Sequence, residues 1–225
     1  MEFTLIRHAE PEWVKDGLSV VNPPLSPRGF KQAENLGERL ADDKFDHVYV
    51  SPLLRTRQTA APLLDHHNRP ELIEPWLEEI REPAWHGAPA EQTIKAYRDE
   101  VDRNAEDRWS GLEGGEPVRE FVARIHSGCT KFLEERGVHR LDQPLPVWHI
   151  EEPGERIALI AHAGTNSVLV CHFLGLQATP WEWERFVINH ASLTTIRAIK
   201  IGDGYVFSLT SLGDSEHVDP TDRTR

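Results

Sequence analysis

The stretch Phe3-Thr4-Leu5-Ile6 constrains this chain more than any other. It is short, apolar and β-prone, the composition of a strand covered on both faces in a parallel sheet. Arg7-His8 stops it at once, so a guanidinium and an imidazole stand where a buried strand should leave the sheet. In open α/β sheets, ligands bind beyond the carboxyl ends of the strands. An isolated Arg-His pair could be mere polar punctuation, but two later stretches repeat the arrangement. His47-Val48-Tyr49-Val50 runs into Ser51-Pro52-Leu53-Leu54-Arg55-Thr56-Arg57, and Arg156 to Ala161 runs into His162-Ala163-Gly164. Each of these strands leads into a helix, whose free N–H groups and dipole favour an anion.

The remaining elements fall between these strands. Ser26-Pro27 reads as an N-cap and first helical position, opening a helix to about Ala41 with Phe30, Ala33, Leu36 and Leu40 on its apolar face. Gly29 and Gly37 in that helix suggest close packing against the sheet. Pro11 to Pro24 reads as a loop, Leu72-Ile73 as a short strand, and Glu91 to Asp107 as a helix. Gly114 to Pro117 lead into a helix with Val118, Phe121, Val122, Ile125 and Phe132 inward, ending near Gly137. Val138 to Gly154 is a Pro-rich loop or β excursion. A helix over Ser167 to Leu174 follows the third strand end. Ser192 to Ile201 and Tyr205 to Leu212 are strands joined by Gly202-Asp203-Gly204, a hairpin signal. Asp219 to Arg225 are polar and expected to fray. The order implies a three-layer α/β/α sandwich with a mostly parallel central sheet. It fits a single domain over 1–225 with a cap-like insertion at approximately 83–115.

In one parallel sheet the strand ends would bring Arg7, His8, Arg55 and His162 to a common edge. Two guanidiniums and two imidazoles suit a dianion such as a phosphoryl group. The chain as a whole is acidic, with a net charge of −12. That disfavours nucleic acid and anionic lipid as partners, both of which need surface cations. Any cation cluster must therefore be local. Cys129 and Cys171 are the only cysteines and offer neither a CxxC motif nor a disulfide framework. With no leader segment and no long apolar run, a reducing, cytoplasmic location is expected. Glu78, Glu79 and Glu82 cluster after Leu77, and apolar neighbours could desolvate one carboxyl and raise its pKa, as a general acid requires.

These stretches resemble the histidine phosphatase superfamily, the phosphoglycerate-mutase-like fold. LIRHAEPEW is similar to its Arg-His-Gly-Glu signature, with Ala9 in place of Gly. LSPRGFKQA, SPLLRTRQTA, LEEI with AWHG, GGEPVREFVAR, ALIAHAGTNSVL and SLGDSEHV resemble later segments in the same order. The resemblance implies a phosphohistidine on His8, with Arg7, His8, Arg55, His162 and Ala163 holding the phosphoryl group. It implies Glu79 as the acid that protonates the leaving oxygen, with Glu78 and Glu82 as alternatives. Glu10, Trp13, Trp85 and His86 would lie on the substrate side. A small phosphorylated metabolite is the expected partner, with no metal and no cofactor.

Two departures separate the chain from the mutases of that family. Val14 follows Trp13 where they carry Asn, and LEEIREPAWHG lacks their Glu-Arg-x-Tyr stretch. A metal-independent phosphatase is therefore preferred over a mutase-type phosphoryl transfer or a catalytically weak binding protein of the same fold. A metal-dependent hydrolase would need ligand spacings such as HExxH, which the 12 histidines do not supply. The sequence leaves the oligomeric state open, a homodimer included, and the substrate unnamed.

Overall fold

A computed structural model of the chain describes residues 1–225. In order, the elements begin with β1 (Glu2–Arg7), a hairpin of β2 (Val14–Lys15) and β3 (Leu18–Ser19), α1 (Pro27–Arg39), β4 (His47–Val50), α2 (Leu54–His67) and β5 (Leu72–Ile73). They continue with α3 (Ala90–Val101), α4 (Val118–Glu134), β6 (Val138–Arg140), β7 (Trp148–Ile150), β8 (Arg156–Ala161), α5 (Ala163–Leu174), α6 (Glu182–Arg185), β9 (Leu193–Ile201) and β10 (Gly204–Asp214). Eight strands form one sheet in the order β5-β4-β8-β1-β9-β10-β7-β6. The four strands from β5 to β1 are mutually parallel, and only β9 and β7 run against them. The Pro-rich excursion after α4 is thus an edge hairpin, β6 paired with β7.

Strand alternation builds the three layers. Phe3 and Leu5 of β1, with Ile157 and Leu159 of β8, pack against Phe121, Ile125 and Phe132 of α4 and Val168, Leu169 and Phe173 of α5. Ile6 of β1, with Ala158 and Ile160 of β8, faces the other way, onto Leu36 of α1 and Leu63 and Leu64 of α2. Side chains of period two thus serve two different cores, which is why these strands read as continuous apolar runs. Each fully buried Leu, Ile or Phe contributes about 1.5–3 kcal/mol relative to exposure.

Five local expectations change. Phe30 is 45% exposed, and Gln32 is buried in its place because its amide is used by backbone groups of other segments. Gly29 and Gly37 allow close approach, but not to the sheet. A Cβ on Gly29 would stand 2.0 Å from the Glu10 carbonyl oxygen, and one on Gly37 would stand 2.8 Å from Pro62 of α2. Helix α3 ends at Val101, where the apolar positions run out, and Arg103 then gathers the carbonyls of Asp107 and Gly111 into a separate turn. α5 starts at Ala163 rather than Ser167, because a carboxylate distant in sequence serves its first turn. Asp219 to Arg225 are docked, not frayed: Gln32 Nε2 donates to the Asp222 carbonyl at 2.7 Å, and His190 N to that of Thr224 at 3.0 Å.

Pro11 to Pro24 also contains structure. Asp16-Gly17, at φ of 52° and 78°, closes the β2–β3 hairpin, a turn type that favours this dipeptide. The hairpin is tied to the start of α3 through Ser19 N to the Ala88 carbonyl and the Ser19–Thr93 hydroxyl pair at 3.0 Å. Gly29→Ala should force the start of α1 away from Glu10 and lower stability by about 1–3 kcal/mol, read from the urea midpoint.

Candidate active site

Register explains why the strand ends converge. Arg7 pairs with Ala161 across β1 and β8, and Val50 pairs with Ile160 across β4 and β8. The residues that follow, His8, Ser51 and His162, leave the sheet side by side. His8 N donates to the Ala161 carbonyl at 2.9 Å, and Ala9 N donates to Thr59 Oγ1 at 2.9 Å. Thr59 in turn donates to the Arg55 carbonyl at 2.7 Å, so the His8 turn and the start of α2 are one unit. Ala9 is fully buried and is not among the residues of positive φ, so the turn suits an L residue.

His8 is buried, and its Nδ1 lies 2.8 Å from the Ala9 carbonyl. A carbonyl only accepts, so a neutral ring carries its proton on Nδ1 and its lone pair on Nε2. The His162 ring centroid is 5.1 Å away and that of His190 5.4 Å. Arg55 is 3% exposed, with Nε and Nη1 unpartnered and its guanidinium 4.9 Å over the Trp13 ring. Arg7 donates from Nη1 to the Ile188 carbonyl at 2.6 Å, and its Nη2 lies 3.0 Å from His190 Nε2. His162 Nε2 meets Ser51 Oγ at 2.8 Å, while its Nδ1 is buried without a partner.

The sixth group is Glu79. One oxygen accepts from Ile80 N at 3.0 Å and the other from Gly164 N, in the first turn of α5, at 3.0 Å. A Cβ on Gly164 would fall 2.5 Å from Glu79 Oε1, so only glycine admits the carboxylate there. Arg124 of α4 donates to the carbonyls of Glu78 at 3.0 Å and Glu79 at 3.1 Å while paired with Glu116 at 2.8 Å. It fixes the backbone that presents the acid.

Burial dominates the electrostatics. It pushes His8 and His162 well below the ordinary imidazole range, and Arg55 and Arg7 push the same way. It lowers Arg7 to about 10 against the pull of Glu79. It raises Glu79, although two backbone N–H groups and both arginines oppose the rise. The site therefore holds neutral imidazoles and two cations, with one carboxyl whose hold on a proton is strengthened by burial. The field that disfavours an imidazolium also disfavours a metal ion and favours an anion.

A cavity of about 430 Å³ opens from this cluster. Arg7, His8, Arg55, Glu79, Ala163 and Trp13 line it, as do Glu78 and Glu82. Glu78 is paired with Arg81 at 2.9 Å, and Glu82 accepts from the Tyr97 hydroxyl. His162 stands behind the lining, next to His8. Three expected substrate-side residues lie elsewhere. Glu10 accepts from Ser26 Oγ at 2.7 Å and Arg28 at 3.0 Å, at the start of α1. Trp85 packs edge-on against Tyr97 at 5.6 Å, one layer back, and His86 is exposed outside the cavity. Arg57 points outward onto Glu71 at 2.9 Å. Sequence reasoning missed His190 and Arg124. His190 follows no buried strand, and Arg124 hid in the apolar helix of Phe121 and Ile125.

Two basic residues and two neutral imidazoles at parallel strand ends, with an acid opposite, define a phosphoryl-transfer site of the phosphohistidine class. The chain belongs to the histidine phosphatase superfamily (branch 1), whose model matches residues 3–206; that superfamily works through a phosphohistidine intermediate. It is 28% identical over 200 residues to phosphoserine phosphatase 1 of Hydrogenobacter thermophilus, covering 87% of this chain and 86% of that one. It is 25% identical over 231 residues to a probable phosphoglycerate mutase of Salmonella choleraesuis, covering 97% and 95%. The α-ribazole phosphatase structure from Shigella flexneri shares the fold, with a TM-score of 0.70 and 23% identity over 96% of this chain and 97% of that one.

The buried imidazoles make stability depend on pH. Their folded pKa values are depressed, so their contribution is intact above the unfolded value near 6.5 and is lost as pH falls below it. Each should cost about 1.4 kcal/mol per pH unit below 6.5, until its folded pKa is reached. Glu79 acts in the opposite sense, since its raised pKa relieves a penalty as pH falls, but it is one group against His8, His162 and His190. Urea midpoints should drop between pH 7 and pH 5, and His190→Phe should flatten the slope.

Proposed function

We propose that the chain is a phosphomonoester phosphatase in which His8 Nε2 attacks phosphorus. The observation that carries this is the Nδ1–H bond of His8 to Ala9, which directs a neutral lone pair toward a cavity edged by Arg7 and Arg55, with His162 beside His8 just behind the lining. The two arginines offer charge-assisted donors to the phosphoryl oxygens. Ser51 can donate to His162 Nε2, leaving Nδ1–H as a third donor. These groups are fixed before charge develops on the equatorial oxygens, the arrangement that lowers a transition state most. Glu79, its pKa raised, protonates the leaving oxygen. As a carboxylate it then takes a proton from the water that attacks the phosphohistidine.

A phosphatase fits better than a mutase because the sequence follows neither mutase pattern, at Val14 after Trp13 or at Glu79-Ile80-Arg81. The cavity volume suits a small phosphorylated metabolite. We assign segment 83–115 the role of a cap, since Tyr97 and Val101 of α3 close one side of the cavity. No helix is long and apolar enough to cross a membrane. Both free cysteines, Cys129 and Cys171, are buried, which supports a cytoplasmic setting.

Rapid quench with a labelled phosphomonoester should leave acid-labile phosphate on His8, and His8→Ala should abolish it. Label on any other residue would overturn the assignment. Activity should survive EDTA, and loss with rescue by zinc would point to metal hydrolysis. Arg55→Ala should lower turnover a hundredfold or more, the usual cost of one preorganised donor, and Arg57→Ala far less.

Glu79→Gln should impair hydrolysis of alkyl phosphates far more than that of p-nitrophenyl phosphate, whose leaving group needs no proton. Glu78→Gln serves as the control. Reversal of the two would exchange their roles.

A further inference from the structure

The turn from Ile188 to Ser192 is the part of the site with no strand-end motif, and the chain's last described residues hold it in place. Ala191 sits at φ 54°, fully buried, in a conformation uncommon for a residue other than glycine. Its N–H reaches the His8 carbonyl at 3.2 Å, and Ser192 accepts from Arg7 N at 3.2 Å. The turn thereby folds His190 down beside His8 and against Arg7.

Hydrogen-bond roles around His190 follow by elimination. A guanidinium has donors only, so His190 Nε2, 3.0 Å from Arg7 Nη2, is the acceptor. A neutral ring then carries its proton on Nδ1, which lies 2.9 Å from Thr224 Oγ1. That oxygen must accept it. Thr224 Oγ1 also accepts from Gln32 Nε2 at 3.1 Å. The orientation of the Gln32 amide is itself determined, because its oxygen accepts from Glu10 N at 2.8 Å and its nitrogen donates to the Asp222 carbonyl at 2.7 Å. Hydrogen bonds thus run without a break from Gln32 in α1, through Thr224 and His190, to Arg7.

We propose that His190 and Thr224 are positioning residues. Thr224, docked on Gln32, holds His190 in its Nδ1–H tautomer, and His190 Nε2 together with the Ile188 carbonyl pins the Arg7 fork on its phosphoryl-binding side.

The opposite tautomer would set an imidazole N–H against a guanidinium N–H in a buried place, leaving both unsatisfied. A protonated ring would do the same and add a third cation beside Arg7 and Arg55. The only arrangement that pairs both His190 nitrogens is the one that ties Arg7 on two of its nitrogens. Its remaining N–H groups, with the unpartnered Nε among them, are then held for the phosphoryl oxygens. A displacement of about 1 Å in such a donor can cost on the order of a hundredfold in rate. Asp219 to Arg225 therefore serve as a strap on the catalytic cluster.

This inference rests on the function proposed above, so its test has an arm independent of turnover. ¹⁵N NMR of histidine-labelled protein should show His190 as the Nδ1–H tautomer, turning to Nε2–H or to a mixture in Thr224→Val. An Nε2–H ring in the wild type would overturn the proposal. In kinetics, Thr224→Val and His190→Phe should each lower kcat/KM at least tenfold and weaken vanadate inhibition by a similar factor. Thr224→Ser restores the hydroxyl, and His190→Gln restores an acceptor near Nε2; both should recover most of the loss. Thr221→Val, in the same segment but away from His190, should match the wild type. Wild-type kinetics in Thr224→Val and His190→Phe, or His190→Gln as poor as His190→Phe, would overturn the relay. A wild-type protein that forms no phosphohistidine counts against the function instead, and the tautomer then decides the relay alone.

Discussion

Everything around the cavity depends on keeping Arg55 and Arg7 desolvated yet charged. Taking a guanidinium out of water is costly unless other groups replace the lost hydration. Here the replacement is partial. Arg7 has the Ile188 carbonyl and His190, Arg55 lies over Trp13, and Glu79 supplies the nearby negative charge. Donors left over on both arginines give an anion a large gain on entry. The same field disfavours the charged forms of His8 and His162, so the lone pair that the proposed attack on phosphorus needs is free without a separate general base.

The field at the site contrasts with the molecule's net charge of −12. Farther out, the cavity wall neutralises itself in pairs, Arg81 with Glu78 at 2.9 Å and Arg108 with Glu184 at 2.7 Å. Positive potential is thereby concentrated at the inner end, beside His8. The acidic exterior disfavours polyanions, while the charge at the inner end of the cleft suits a small anion. Apolar wall residues such as Trp13, Leu112 and Ile188 leave the outer volume to shape rather than charge.

The support for the site comes from places far apart in sequence. Glu79 caps α5 by accepting from Gly164 N, so the carboxyl group and the helix N-terminus stabilise each other. Arg124 holds the acid's backbone from α4, Thr59 joins the His8 turn to α2, and Gln32 ties α1 to the Thr224 segment. Each is a buried or half-buried polar residue that hydrogen-bonds backbone groups of another segment, an arrangement that rigidifies only when every member is satisfied.

By itself the sequence determined the elements and the chemistry at their ends. Apolar runs marked β1, β4 and β8; β1 and β8 broke at once into Arg7-His8 and His162, and β4 into Ser51 with Arg55 in the helix start that follows, so these residues could be named from local pattern. Local pattern suffices there because side-chain periodicity and helix-opening residues are short-range properties. Tertiary structure decided what depends on approach between distant segments. It sent Glu10 to the start of α1 and left Phe30 exposed. It set Trp85 behind Tyr97, drew His190 into the cluster, and docked Asp219 to Arg225 instead of leaving them loose. It also chose Glu79 over Glu78 for the α5 terminus. A partner 85 positions away leaves no periodic trace in a sequence, and a polar residue is legible as buried only once the group that satisfies it is known.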